Sequence, residues 1–230
     1  MEQNKFIKID HIEKIFYGAL GDRTVVFEKG DIEIKFGENT ALLGFNGAGK
    51  STLLKMISGA EPLSRGTKNI NGTVSWPIGI FNSLVNDLTG LQNIDFISTL
   101  YDLDAELIRR IVVGNSELED AINKRVSTYS NGMRAKLAYF ISLSIDFDFF
   151  LFDEVTSVGD SVFRQKAEEY FKQLKDQVTI ILATHNQAEV LNNCDYAYVL
   201  HDKMISPKYS AEDGVKFYQE LIDKNTNDKK

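Results

Sequence analysis

The sequence predicts an α/β protein, with a mostly parallel sheet core, an antiparallel β subdomain and a helical insertion. Three observations predict it. The runs "TALLG" (40–44), "FFLFD" (149–153), "VTIILAT" (178–184) and "YAYVL" (196–200) are short and continuously apolar, as expected of strands covered on both faces. Helical patterns alternate with the later runs, in the rhythm of a parallel sheet. Nearer the start, "FIKID" and "DIEIKF" alternate apolar and polar residues, with Ile32, Ile34 and Phe36 on one face, which marks half-buried antiparallel strands.

Taken in order, the alternating strands come first and the buried strand 40–44 follows, leading into "KSTLLKMIS", which has helix-forming character. Residues from about 84 to 145 break the rhythm and read as consecutive helices. Asp104 is placed to cap one of them, and Ser116 with Glu119 forms a capping-box pattern for the next. After the strand 149–153, "SVFRQKAEEYFKQLKD" sets Phe163, Ala167, Tyr170, Phe171 and Leu174 on one helical stripe. There is no internal repeat and no linker. The expected organisation is one domain over 1–230, with a core from 1–83 and 146–230 and a helical subdomain over about 84–145. The polar tail "NTNDKK" is expected to fray.

Composition narrows the function classes. The chain has 230 residues, 43% of them hydrophobic, as in ordinary soluble globular proteins. Its 26 Lys and Arg stand against 33 Asp and Glu, for a net charge of −7. That sign disfavours general nucleic-acid binding. The one cysteine, Cys194, excludes an internal disulfide and reads as a buried, inert thiol in a reducing compartment. "MEQNKFIKID" lacks the apolar run of a signal peptide. The most apolar stretch is interrupted by Asp146 and Asp148 and is too short to span a bilayer. A soluble chain is expected, able to sit on a membrane protein.

The strongest motif is "GFNGAGKST" (44–52), which fits G-x-x-x-x-G-K-[ST] between a buried strand and a helix. Gly44, Gly47 and Gly49 let the backbone turn and bring its N–H groups onto phosphate oxygens, with Phe45, Asn46 and Ala48 between them. Lys50 supplies a cation for the β- and γ-phosphates, and the Ser51 hydroxyl, followed by Thr52, is placed to ligate Mg²⁺. Binding of ATP or GTP follows. A bare glycine-rich turn is the bland alternative, and the strand–loop–helix context weighs against it.

"FFLFDE" ends a buried strand with two carboxylates. Asp153 is placed to hold Mg²⁺ through water, and Glu154 to act as general base on the attacking water. Mere marking of a strand end is the weaker reading. His185 follows another core strand and can orient that water, though by itself it reads equally well as a surface loop residue. His11 and His201 have ordinary, exposed-looking positions. A second helix start, "YSNGMRAKL" (129–137), also offers free N–H groups to an anion, with Ser130 as its own cap.

Together these residues resemble the ATP-binding-cassette (ABC) ATPases, which have a P-loop NTPase, RecA-like fold. The order is the same: phosphate loop, helical insertion, signature turn, Asp-Glu strand end, then a strand followed by His. "YSNGM" is similar to the family's Leu-Ser-Gly-Gly-Gln signature, keeping Ser130 and Gly132 and departing at Tyr129, Asn131 and Met133. "SVGD" resembles the loop whose aspartate, here Asp160, acts across a dimer. Phe16, with Tyr17 as the alternative, matches the aromatic that stacks on adenine. The resemblance implies two copies paired head to tail, each signature helix (Ser130, Asn131, Gly132) closing over ATP held by the other copy's phosphate loop.

A narrower resemblance, carried by "SWPIGIFNSLVNDLTGLQNI" and "NGMRAKLAYFISLSIDFDFFLFDEVTSVGD", is to the ATPase subunits of Gram-negative capsular-polysaccharide exporters. It implies a peripheral subunit on the cytoplasmic side of the inner membrane. A separate integral-membrane permease would handle the polymer. Export of O-antigen or a teichoic-acid-like glycan, or a soluble non-transport ATPase, are the alternatives. The glutamine that most cassettes carry after the third core strand is missing: its position falls near Ile80, and Asn82 substitutes only if the loop shifts. Capsule-type subunits resemble this chain in that lack. The permease contact is expected on Trp76–Leu100, where Trp76, Ile78, Ile80, Phe81 and Leu84 crowd a stretch with no charge before Asp87.

Overall fold

The first strand, β1 (Phe6–Tyr17), is longer than its alternating start. His11 takes a left-handed conformation (φ 56°), and its exposed backbone N–H donates to Asp31 Oδ1, so the strand bends there and continues. The computed structural model describes residues 4–19, 21–78, 84–153, 161–175 and 177–227. β1 pairs antiparallel with β2 (Arg23–Phe27), β3 (Ile32–Lys35) and β5 (Arg65–Asn71) in a four-stranded sheet. Ile32 and Ile34 are buried and Phe36 packs against the same core, on the face that the alternation predicts.

The larger sheet has seven strands among the described residues, in the order β10-β9-β4-β8-β7-β6, with β11 also on β9. Its centre is β4 (Thr40–Gly44), parallel to β8 (Thr179–Thr184) on one side and β9 (Tyr196–His201) on the other. β7 (Phe149–Asp153) runs parallel to β8, and β6 (Val74–Ile78) lies at the edge, where Pro77 costs no inner ladder bond. β10 (Met204–Ile205) and β11 (Tyr209–Ser210) are antiparallel to β9. The four apolar runs therefore form the parallel core.

α1 (Lys50–Ser58) follows β4 and buries Leu53, Leu54, Met56 and Ile57 against Leu42, Phe149 and Ile181. Each such side chain contributes roughly 1.5–3 kcal/mol by leaving water. α6 (Gln187–Asn193) and α7 (Ala211–Asn227) complete this part. Asn225, Thr226 and Asn227 belong to α7, so the first half of the tail expected to fray is helical.

The chain divides into two compact units: residues 1–77, 147–154 and 175–230, and residues 78–146 and 155–174. The second holds α2 (Gly90–Leu100), α3 (Ala105–Ser116), two short 3-10 turns, α4 (Asn131–Leu143) and α5 (Ser161–Lys175). Thr89 and Gln92 form a full capping box on α2, and Asp104 accepts from the Glu106 and Leu107 N–H groups at the start of α3. The Ser116–Glu119 capping box does not form. Ser116 is instead the last residue of α3, because Glu117 turns left-handed (φ 55°) and ends the helix. The predicted stripe of α5 holds: Phe163, Ala167 and Phe171 are buried, with Tyr170 and Leu174 half-buried. The Phe163 ring meets Tyr139 and Phe140 edge to face, and the Tyr139 hydroxyl donates to Ala167 O.

Cys194 caps the end of α6 and is buried, as expected. Burial, reinforced by the Asp195 charge, pushes its thiol up to about 12. The native thiol should therefore react with a maleimide at pH 8 on the order of 10³-fold more slowly than the unfolded chain. Equal rates with and without denaturant would refute this burial. The folded pKa lies above the unfolded one, so this group's stabilisation is complete below the ordinary thiol range and falls as pH rises towards 12.

Candidate functional site

The carboxyl ends of four parallel strands, β4, β7, β8 and β9, meet at one edge of the sheet. Leu43 pairs with Thr184, Asp153 with Ala183, and Gly44 with Leu200. The loop after β4, the acid ending β7 and the residue after β8 therefore emerge together, at the edge where α/β sheets bind ligands.

The loop is built from its glycines. Gly49 has φ 98°, and a Cβ there would lie 2.6 Å from Phe27 Cζ and 2.7 Å from Val26 Cγ1. Only glycine meets both demands. Gly44 is tight as well, since a Cβ would lie 2.7 Å from Leu200 O. Phe45 leans on Tyr218 of α7, with ring centroids 5.1 Å apart, which backs the loop from behind. Lys50 is only 6% exposed, and its ammonium donates to Gly44 O (2.8 Å) and Phe45 O (3.1 Å). Gly49, which precedes α1, gives it no side-chain cap, and no acid lies in the first turn of the helix, so its first N–H groups are left for an incoming anion. Asn46, Gly47 and Ser51 are exposed, while Ala48 and Thr52 are half-buried. A cradle of backbone donors around a buried lysine fits a polyphosphate.

Asp153 is half-buried at the end of β7 and His185 is exposed after β8, on the same sheet edge. Beyond His185 the turn is ordered by Thr184, whose hydroxyl donates to Glu189 Oε2 and accepts from the Asn186 N–H. His201 differs from its expected exposure: it is half-buried, with its ring 5.3 Å from that of Phe217. Glu154 and Asp160, with Ile80, Phe81 and Asn82, lie outside the described residues.

Phe16 is 39% exposed near the end of β1, and Tyr17 is more so. Lys14, two residues earlier, pairs with Phe27, the residue that closes on Gly49. Phe16 thus lies at the end of a strand whose partner touches the phosphate loop. In the helical unit Ser130 caps α4 and accepts from the Met133 N–H at 3.2 Å, with Ser130 and Asn131 exposed and Gly132 half-buried. Of the apolar residues expected to crowd the stretch after residue 76, Ile78 is buried and Trp76 and Leu84 are half-buried, while Ile80 and Phe81 lie outside the described residues. Trp76 packs on Phe147 and Ile78 is 4% exposed, whereas Val85 (39%) and, on α2, Phe96 (47%) and Leu100 (64%) are exposed apolar groups among the described residues of that segment. Sequence reasoning passed over Lys14 and Tyr218. A lysine in an alternating strand signals solvent, and Tyr218 reaches Phe45 only through the fold.

The family model described as ABC transporter matches residues 27–157. The chain belongs to the ABC transporter family. Among ABC relatives it is 36% identical to the polysialic acid transport ATP-binding protein KpsT of Escherichia coli, over 94% of this chain and 98% of that one. It is 38% identical to the capsule polysaccharide export ATP-binding protein CtrD of Neisseria meningitidis serogroup B, over 93% of this chain and 97% of that one. In fold it is similar to a solved ATP-binding subunit of an ABC transporter, with a TM-score of 0.77 at 24% identity, covering 90% of this chain and 91% of that one. The chain is thus an ABC ATPase, α/β with a mostly parallel sheet and an antiparallel one. Among the described residues no helix is long and apolar enough to cross a membrane.

Proposed function

We propose that this chain is the ATP-hydrolysing subunit of an ABC transporter that exports a capsular polysaccharide through a separate integral-membrane permease. The observation that carries the reading is near end-to-end similarity to two proteins named for polysialic acid transport and capsule polysaccharide export. The chain would work from the cytoplasmic face of the inner membrane, peripherally, with its two units acting as one ATPase domain.

In this reading Phe16 stacks on the base, and the residues from Gly44 to Thr52 wrap the phosphates, with Lys50 as their cation. Mg²⁺, held by Ser51 and by Asp153 through water, would supply charge neutralisation at the β- and γ-phosphates. The exposed hydroxyl of Ser51 and the half-buried carboxylate of Asp153 fit that hard cation, which prefers oxygen ligands. Glu154 takes the proton of the attacking water and His185 orients it. A second copy supplies Ser130, Asn131 and Gly132 at the start of α4, with Asp160, over the same nucleotide. Ser130 capping its own helix is compatible with that role, because one cap satisfies only one of the free N–H groups. Phe96 and Leu100 give the segment 76–100 an apolar surface for the permease. The polymer would contact the permease and not this chain.

Deleting the gene in its own host tests the reading. Surface polysaccharide should disappear while polymer accumulates inside the cell, and the wild-type gene, but not Lys50→Ala, should restore the surface. Normal surface polymer in the deletion strain would reject the export role.

A further inference from the structure

Lys14 is a buried cation in an unexpected place. Strand alternation puts it on the same face as Phe16, yet Lys14 is 4% exposed and Phe16 is 39% exposed. The β1–β2 register also shifts between Lys14 and Ile15, with the extra residue on β2. The Lys14 ammonium donates to Glu61 Oε1 and to Pro62 O, and it lies 4.4 Å from the centroid of the Phe16 ring.

The groups that hold it belong to the segment directly after α1. Glu61 N–H donates to Lys55 O of that helix, Ser64 N–H donates to Glu13 O, and the Ile15 N–H donates to Ser64 Oγ. The chain leaving the phosphate-loop helix thus returns to clamp β1 just before Phe16. The same ammonium that holds this clamp also covers the ring of Phe16.

We propose that Lys14 is a positioning residue for the base of the nucleotide, its ammonium covering one face of Phe16 so that the ring is fixed and its other face stacks on adenine. The inference rests on the reading of Phe16 as the base-stacking residue. The physical basis is a cation–ring–base sandwich. A cation on one face draws π-density towards itself, and the opposite face becomes a better partner for an electron-rich purine.

The test compares ATP with inorganic tripolyphosphate, which presents phosphates and no base, on the full-length chain with Mg²⁺. Lys14→Met should weaken ATP binding by about threefold to thirtyfold and leave tripolyphosphate binding unchanged. Lys14→Arg, which keeps the cation, should recover most of the loss. Adding Lys14→Met to Phe16→Leu should cost nothing further, because the two act through one ring. Lys14→Met leaves Glu61 without its cation, so the paired variant Lys14→Met with Glu61→Gln serves where the single one does not fold. If Phe16→Leu weakens ATP and neither neutral variant at position 14 does, the role of Lys14 is refuted while Phe16 stands. If Phe16→Leu leaves ATP affinity unchanged, the stacking reading fails first. An equal loss for ATP and tripolyphosphate would show Lys14 acting through the phosphate loop, and would also overturn the proposal.

Discussion

Glu154→Gln lowers steady-state ATP hydrolysis by about 10²–10⁴ while ATP affinity stays near the wild-type value. The four residues Phe149 to Phe152 are fully buried, and Asp153 ends β7 level with Ala183, at the edge where β4 delivers the phosphate loop. The residue that follows Asp153 in the chain is therefore the acid best placed by sequence to take a proton from water. Glutamine keeps the size and shape of that side chain, exchanges one acceptor oxygen for an NH2 donor, and removes the charge and the basicity. Bound ATP then persists, so the variant should also elute as a dimer with ATP under conditions where the wild type does not. Phosphate release and ATP titration on the same preparation decide the matter. Normal turnover would move the base elsewhere, with His185 as the next candidate.

Lys50→Ala reduces ATP affinity by about tenfold to more than a hundredfold, as expected for charge-assisted hydrogen bonds worth ~1.5–3 kcal/mol each. The effect should exceed that of a surface lysine for a structural reason. Lys50 is 6% exposed and its ammonium already braces Gly44 O and Phe45 O, so alanine removes a cation from the phosphates and a brace from the loop. The melting temperature should fall slightly and the nucleotide affinity steeply. Unchanged affinity, by calorimetry or fluorescent-nucleotide displacement, would refute the loop's assignment.

Most of the core was legible because its physics is local. Residues 40–44, 149–153 and 196–200 are apolar on both faces, and a strand buried on both faces has to be. The phosphate loop was legible because it depends on glycines, and the structure gives Gly49 both a left-handed φ and a close neighbour. β5 was not legible. "RGTKNIN" is almost wholly exposed and carries no apolar alternation, so only its long pairing with β1 makes it a strand. β6 holds a proline, which argues against a strand until its place at the sheet edge is known. The Ser116–Glu119 pattern misled because a capping box needs a helix to start there, and two left-handed residues, Glu117 and Glu119, stand in the way. In the candidate site the loop and the strand-end acid could be read from spacing. The burial of Lys14 could not, because its partners Glu61 and Pro62 lie 47 and 48 residues further along.

The position of β4 between β8 and β9 has a consequence for the order in which the molecule can be made. A ribosome delivers β4 and its loop early, yet both neighbours of that strand are encoded about 140 to 156 residues later. Until then β4 has two open edges and a largely apolar sequence, a ready template for the wrong partner. The aromatic support of the loop arrives later still, with Tyr218 on the last helix. The loop thus gains this support only after β8 and β9 have been made. A nascent chain halted before α7 carries the complete phosphate-loop sequence and lacks the scaffold that makes it a site.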